Sequence, residues 1–230
     1  MTTPDHVLLQ GIVGSVAYGL QTPSSDVDRL GLFAAPTEAF HGLHPPIGKS
    51  ATICRTRPDV TIHEARKFAS LALGGNPTVS ELMWLPDELY EVRTELGDEL
   101  ISIRAAFLSA KRIRDAYFGY ATSQLHRLLA TGQFQSKMRK RSSKHGRHLL
   151  RLLDQGLAVY STGQLPIRLA DPRRYIEFGE RVADDPEAAR PALAEAEAAF
   201  DAVRSPLPDE PDEARVERWL LRVRRAHLSG

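Results

Sequence analysis

Two aspartates one residue apart, Asp26 and Asp28, are the residues whose types and spacing point most directly to chemistry. Along a β-strand alternate side chains project to the same side, so the two carboxylates stand together while Val27 turns away. Two such charges repel each other, and either water or a divalent cation must relieve them; a donor set of oxygen alone is the one Mg²⁺ prefers. Upstream, Val7–Val13 is an apolar, β-branched run closed by Gly14-Ser15, which reads as a buried strand ending in a tight turn. Backbone N–H groups of such a turn, with the Ser15 hydroxyl, can face an anionic phosphate. One short stretch therefore provides for both a metal and a phosphate.

These residues need elements to hold them. A second strand is expected over 26–34, with Val27, Leu30, Leu32 and Phe33 as its apolar members, and further strand on either side of Pro58. A helix follows from about Ile62 to Leu73, stopped by Gly74-Gly75. Another begins at Asn76-Pro77, with Asn as cap and Pro in the first turn. Beyond Leu96-Gly97 the apolar spacing becomes helical: Ile113, Tyr117, Ala121, Leu125 and Leu128 line one face, Leu149, Leu153 and Leu157 another. The expected fold is α+β, a small mixed sheet with helices over 1–96 followed by a helical bundle over 97–230. Ser205–Asp212 is a Pro-rich connector before a last helix around Ala214–Ala226.

The order of a hydrophobic strand, Gly-Ser, a spacer containing Gly19 and Ser25, then Asp-x-Asp entering a strand resembles the signature of the DNA polymerase β nucleotidyltransferases. A narrower resemblance runs through most of the chain. Ala17-Tyr-Gly-Leu-x-Thr-Pro-x-Ser-Asp-x-Asp-x-x-Gly31, Arg66-Lys-Phe with Leu71-Ala72, Asn76-Pro-Thr-Val-x-Glu-Leu-x-Trp84, Lys144-x-x-x-His148-x-x-Arg151-Leu-Leu and Ser205-Pro-Leu-Pro look like the RlaP family of RNA-repair-pathway nucleotidyltransferases. The resemblance implies a minimal nucleotidyltransferase domain followed by helices, with a nucleoside triphosphate as substrate. It implies two Mg²⁺ or Mn²⁺ ions on Asp26 and Asp28, and a third carboxylate from a later strand that helps hold the catalytic metal and orients the attacking hydroxyl. Asp59 is the candidate, because it opens the run Asp-Val-Thr-Ile with Val60 and Ile62 directed to the other face; Glu64, near a helix start, is the competitor. Gly14, Ser15 and Ser25 are the expected nucleotide contacts. The Lys137–Arg151 stretch is more crowded with charge than the family pattern.

Charge is distributed unevenly. Residues 101–170 hold 13 Lys/Arg against 2 Asp/Glu, a net +11, between acidic flanks that bring the whole chain to +1. Such a block suits a polyanionic partner. On a helix at about 100° per residue, Lys144, His148 and Arg151 fall within about 60° of one another, with the leucines on the far side. With the family match, Lys144, His148 and Arg151 are expected to face the nucleotide, and Lys137, Arg139, Lys140 and Arg141 to follow acceptor phosphates. An RNA 3′ end, tRNA included, is the expected acceptor, with an RNA ligase or other repair protein as a further partner. The rivals are transfer to a protein side chain and a catalytically silent nucleic-acid-binding protein. Tyr117, Phe118 and Tyr120 are read as core. The single cysteine, Cys54, is read as a buried, inert thiol, and the absence of a long apolar run or basic leader gives a cytoplasmic expectation.

Overall fold

The computed structural model describes residues 6–23, 25–130 and 136–228, with the backbone alone at 130 and 136–138. Among these residues the order is β1 (Val7–Val13), α1 (Gly14–Tyr18), β2 (Asp28–Phe33), β3 (Thr52–Thr56), β4 (Asp59–Glu64), α2 (Ala65–Leu73), α3 (Pro77–Glu81), β5 (Tyr90–Arg93) and α4 (Glu95–Ser102). A run of helices follows: α5 (Ala110–Ala130), α6 (Ser136–Thr162), α7 (Pro172–Asp184), α8 (Arg190–Ala202) and α9 (Glu213–Ala226). The fold is α+β, with a mixed, open five-stranded sheet and a helical region after it. No helix among the described residues is long and apolar enough to cross a membrane.

The sheet runs β3-β4-β2-β1-β5. β1 is antiparallel to β2 and β5, β2 is parallel to β4, and β3 is antiparallel to β4. Registers are fixed by burial, since a slip of one residue would turn Val60 and Ile62, both buried, out to solvent. Those two pack with Phe33 and Ala35 beneath the sheet. Two expected boundaries move. β2 starts at Asp28 rather than 26, because its partner β1 ends at Val13, opposite Asp28, where the chain turns into α1. The helix expected from Ile62 starts at Ala65, since β4 carries the chain as far as Glu64. The Asn76 cap is observed, its side chain accepting from the Val79 N–H at 3.1 Å with Pro77 in the first turn.

Two compact units emerge, Met1–Leu108 with Pro211–Gly230, and Ser109–Glu210. The first unit therefore extends past 96 and also takes the last helix, α9. Trp219 of α9 is buried and donates its indole N–H to the Leu96 carbonyl at 2.9 Å, while Arg224 reaches the buried carboxylate of Glu64 at 2.7 Å. Glu64 also caps α2 by accepting from the Arg66 N–H at 2.8 Å. In the second unit the face Ile113, Tyr117, Ala121, Leu125 and Leu128 is buried as its spacing requires. α6 packs against α5, α7 and α8, and comes close to α7 at Gly146, where a β-carbon would lie 3.2 Å from the Gly179 α-carbon.

The Arg224–Glu64 pair is the buried ion pair among the polar bonds that close α9 onto the first unit. Removing one partner of a buried pair strands the other charge, so Arg224→Met should lower stability by about 3 kcal/mol. Thermal and urea unfolding of the variant would measure it; a loss under about 1 kcal/mol, the worth of an exposed pair, would show the pair to be dispensable.

Candidate active site

At the end of β1 the chain enters α1 through Gly14, whose φ of +71° favours glycine. A second constraint acts at the same atom. A β-carbon on Gly14 would stand 2.4 Å from Oδ2 of Asp28, so the Asp28 carboxylate occupies the space a side chain would take. Val13 pairs with Asp28 across the β1–β2 ladder, which brings the turn and the carboxylate together. The following turn of α1 is tied down from behind: the Tyr18 hydroxyl donates to Oε2 of Glu81 at 2.5 Å, both residues being buried. Nothing in the sequence links these two residues, 63 positions apart, beyond the placement of each in an expected motif.

Asp59 opens β4. The parallel β2–β4 pairing begins with Arg29 opposite Val60, so Asp28 and Asp59 are the residues that immediately precede this first pair, each on its own strand. Neighbouring strands lie about 4.8 Å apart, and in-register residues point to the same face. Asp28 and Asp59 thus share one end and one face of the sheet, with Asp28 half-buried and Asp59 exposed. Asp26 is exposed and precedes the strand, so ladder alternation does not set its direction. Ser25 closes the loop before it, accepting from the Thr22 N–H at 2.8 Å and donating its own N–H to the Thr22 carbonyl at 2.9 Å. Its hydroxyl thus has a local task apart from the expected nucleotide contact. Ser15 is half-buried in the first turn of α1. Glu64 is engaged elsewhere, on the face opposite Asp59, with Arg224 and the α2 cap.

A metal fits this donor set in its chemistry: the carboxylates are oxygen ligands, and Gly14 leaves a recess for one of them. Among the described residues, no three His, Cys, Asp or Glu side chains stand close enough to form a cage by themselves. Asp28 and Asp59 share an end of the sheet, and the described residues do not gather them into a preformed centre.

The residues expected on the basic helix separate into two groups. Lys140, Arg141 and Lys144 are exposed. Arg151 is not: it is 2% exposed, donating to Oε1 of Gln155 at 2.6 Å and bonded to Nδ1 of His148 at 2.8 Å. Gln155 in turn donates to the Pro166 carbonyl at 2.7 Å. The expected division of α6 into one apolar and one basic face fails because helices pack on several of its sides, and the Arg151 side faces inward as well. Arg139 is also diverted, bonded to Asp184 at 2.9 Å and to Glu180 of α7. Lys137 lies outside the described side chains. Cys54, expected to be buried, is exposed.

The family model for RlaP, the RNA repair pathway DNA polymerase beta family, matches residues 2–188. The chain belongs to the RlaP family. The matched span covers the sheet, the carboxylates and most of the helical region, and the family's description ties the chain to polymerase β-like nucleotidyltransferases of RNA repair. RlaP membership carries a nucleotide substrate and an involvement with RNA. No curated protein is significantly similar to the chain.

Burial, reinforced by the Arg151 guanidinium, lowers His148 from the usual 6.5 to about 3. The ring is neutral at neutral pH and accepts from Arg151. Because its folded value is depressed, the folded chain binds fewer protons than the unfolded chain between those values. The stability it contributes is complete above about 6.5 and is lost as pH falls toward 3. Thermal midpoints recorded from pH 7 to 4.5 should fall more steeply for the natural chain than for His148→Gln. Parallel curves would place the acid sensitivity elsewhere.

Proposed function

We propose that the chain transfers a nucleoside monophosphate from a nucleoside triphosphate to the hydroxyl of an RNA 3′ end, releasing pyrophosphate. The observation that carries this reading is the placement of Asp28 and Asp59 at adjacent strand ends, with the Asp28 carboxylate against Gly14. Binding to a polyanion alone has no use for two carboxylates at adjacent strand ends beside the Gly14 turn. In the reaction a bond forms from the acceptor oxygen to the α-phosphorus as the bond to the pyrophosphate oxygen breaks, and the acceptor proton departs.

The roles divide by position. Gly14 and Ser15 present the start of α1 to the outer phosphates, where backbone N–H groups favour negative charge. Asp26, Asp28 and Asp59 would hold Mg²⁺ or Mn²⁺, which when bound supplies positive charge to the phosphoryl oxygens. Asp59, exposed at its strand end, orients the attacking hydroxyl and takes its proton. The Tyr18–Glu81 bond keeps α1 from shifting as charge moves across the site. On the helical unit the exposed cations Lys140, Arg141 and Lys144 suit phosphates of an acceptor strand, a role that Arg139 and Arg151 are less placed to share.

The chemistry is tested by supplying α-labelled nucleoside triphosphates with Mg²⁺ or Mn²⁺, RNA, matching DNA and a cell lysate. Label should enter RNA and be removed by ribonuclease. Asp28→Asn and Asp59→Asn should each lower the rate at least about a hundredfold, the scale for loss of one group that stabilises developing charge. Unchanged turnover in Asp59→Asn would remove it as third carboxylate, and label released only by protease would assign the acceptor to protein.

Replacing Lys140, Arg141 and Lys144 together with Ala should weaken RNA binding at low salt and flatten its dependence on log salt by about 0.7 for each single-strand phosphate no longer neutralised. Nucleotide affinity should change little. Equal weakening for both ligands would mean that these cations do not distinguish acceptor from nucleotide.

A further inference from the structure

Asp59 is the first member of a polar row whose other members have no part in the roles above. In the antiparallel pairing of β3 with β4, Thr56 stands opposite Asp59, Cys54 opposite Thr61 and Thr52 opposite His63. Cross-strand partners share a face and alternate residues return to it, so all of these side chains lie on one side of the ribbon. Burial separates the two sides. Cys54, Thr56 and Asp59 are exposed and Thr52, Thr61 and His63 half-buried, whereas Val60, Ile62 and Glu64 on the other side are buried. The row is ordered internally, with Oγ1 of Thr52 bonded to Nδ1 of His63 at 2.9 Å and Sγ of Cys54 lying 3.9 Å from Oγ1 of Thr61. Burial, and then Lys67, hold the His63 imidazole below its ordinary value, so the ring is neutral at neutral pH.

Strand order decides what such a row can receive. Across the sheet come β1 with Gly14 at its end, β2 with Asp28, β4 with Asp59, Thr61 and His63, and β3 with Thr52, Cys54 and Thr56. In-line displacement puts the attacking and leaving oxygens on opposite sides of phosphorus. With the outer phosphates at Gly14 and Ser15, the leaving pyrophosphate lies toward β1, and the attacking hydroxyl must arrive from the side of β4 and β3. Hydroxyls, a thiol and a neutral imidazole match ribose hydroxyls and base edges, which are themselves neutral donors and acceptors, and offer little to a polyanion.

We propose that the exposed face of the β3–β4 ribbon, formed by Thr52, Cys54, Thr56, Thr61 and His63, is the acceptor subsite and seats the terminal nucleoside of the RNA whose hydroxyl attacks beside Asp59. The assignment rests on the transfer reading above. It makes this ribbon, rather than the basic helix, the surface that chooses which 3′ nucleoside is extended.

The chain's one cysteine is Cys54, so a probe can report on this face alone. The 230-residue chain is mixed with Mg²⁺, a non-hydrolysable nucleotide, and an RNA carrying a disulfide-activated tether on its 3′-terminal ribose or, in a second sample, on its 5′ end. The 3′ tether should join Cys54 at least about tenfold faster than the 5′ tether, as for a prealigned pair, and Cys54→Ser should abolish the product. In steady-state assays Thr61→Val, which trades a hydroxyl for a methyl on a half-buried strand position, should raise the KM for RNA about three- to tenfold while the nucleotide KM holds, the scale of one hydrogen bond. Equal joining rates, or a Thr61→Val effect on the nucleotide KM alone, overturn the subsite in a protein that still labels RNA. Failure to label any acceptor with hydrolysable α-labelled nucleoside triphosphates removes the transfer reading and the subsite together.

Discussion

The approach of the Asp28 carboxylate to the α-carbon of Gly14 is the contact on which the rest of the site depends. It exists only because the β1–β2 ladder runs in a register that sets Val13 opposite Asp28, and that register is held by apolar side chains along both strands. The β2–β4 register then carries the arrangement one strand further, to Asp59. A backbone turn that accepts no side chain, a carboxylate filling the space, and a second carboxylate on the next strand form one unit. None of the three could move without the others.

Much of this was legible from local pattern. The apolar run before Gly14-Ser15, the Asp-x-Asp at the head of a strand, the Asn76 cap and the apolar face from Ile113 to Leu128 each rest on residues near one another in sequence. What escaped was decided by distant partners. Cys54 sits in a β-like run that reads as buried, yet its face is set by pairing with Thr61, and that face is the open one. Arg151 has the spacing of a surface cation, but the packing of α6 turns its side inward, where His148 and Gln155 receive it. No window of sequence reports that α9 returns to the first unit.

Charge follows the same rule in another form. The net +11 of residues 101–170 is a property of a linear window, and folding does not respect the window. Acids from 171–210 are brought onto it: Arg139 meets Asp184 and Glu180, Arg114 meets Asp201, and Arg112 meets Glu210, while Arg174 meets Asp154 in the reverse sense. Over 109–210 the unit carries 17 Lys/Arg and 13 Asp/Glu, a far smaller excess. Exposed pairs of this kind contribute little stability, but they remove cations from the pool open to a ligand. Lys140, Arg141 and Lys144 are among the cations that stay exposed, close together on one stretch of α6.

Because α9 completes the first unit, the two units cannot finish folding in the order in which their sequences begin. A ribosome releases the sheet first, the whole of 109–210 next, and only then the helix that brings Trp219 to Leu96 and Arg224 to Glu64. Until that moment the nascent sheet unit carries a buried-type carboxylate with no guanidinium and an uncovered apolar surface. The helical unit holds its own ends together, with the Ala110 N–H bonded to the Pro208 carbonyl, and is free to fold during the wait. The part of the chain that carries the aspartates is thus the last to become whole, and its birth is timed by the synthesis of everything placed between its two pieces.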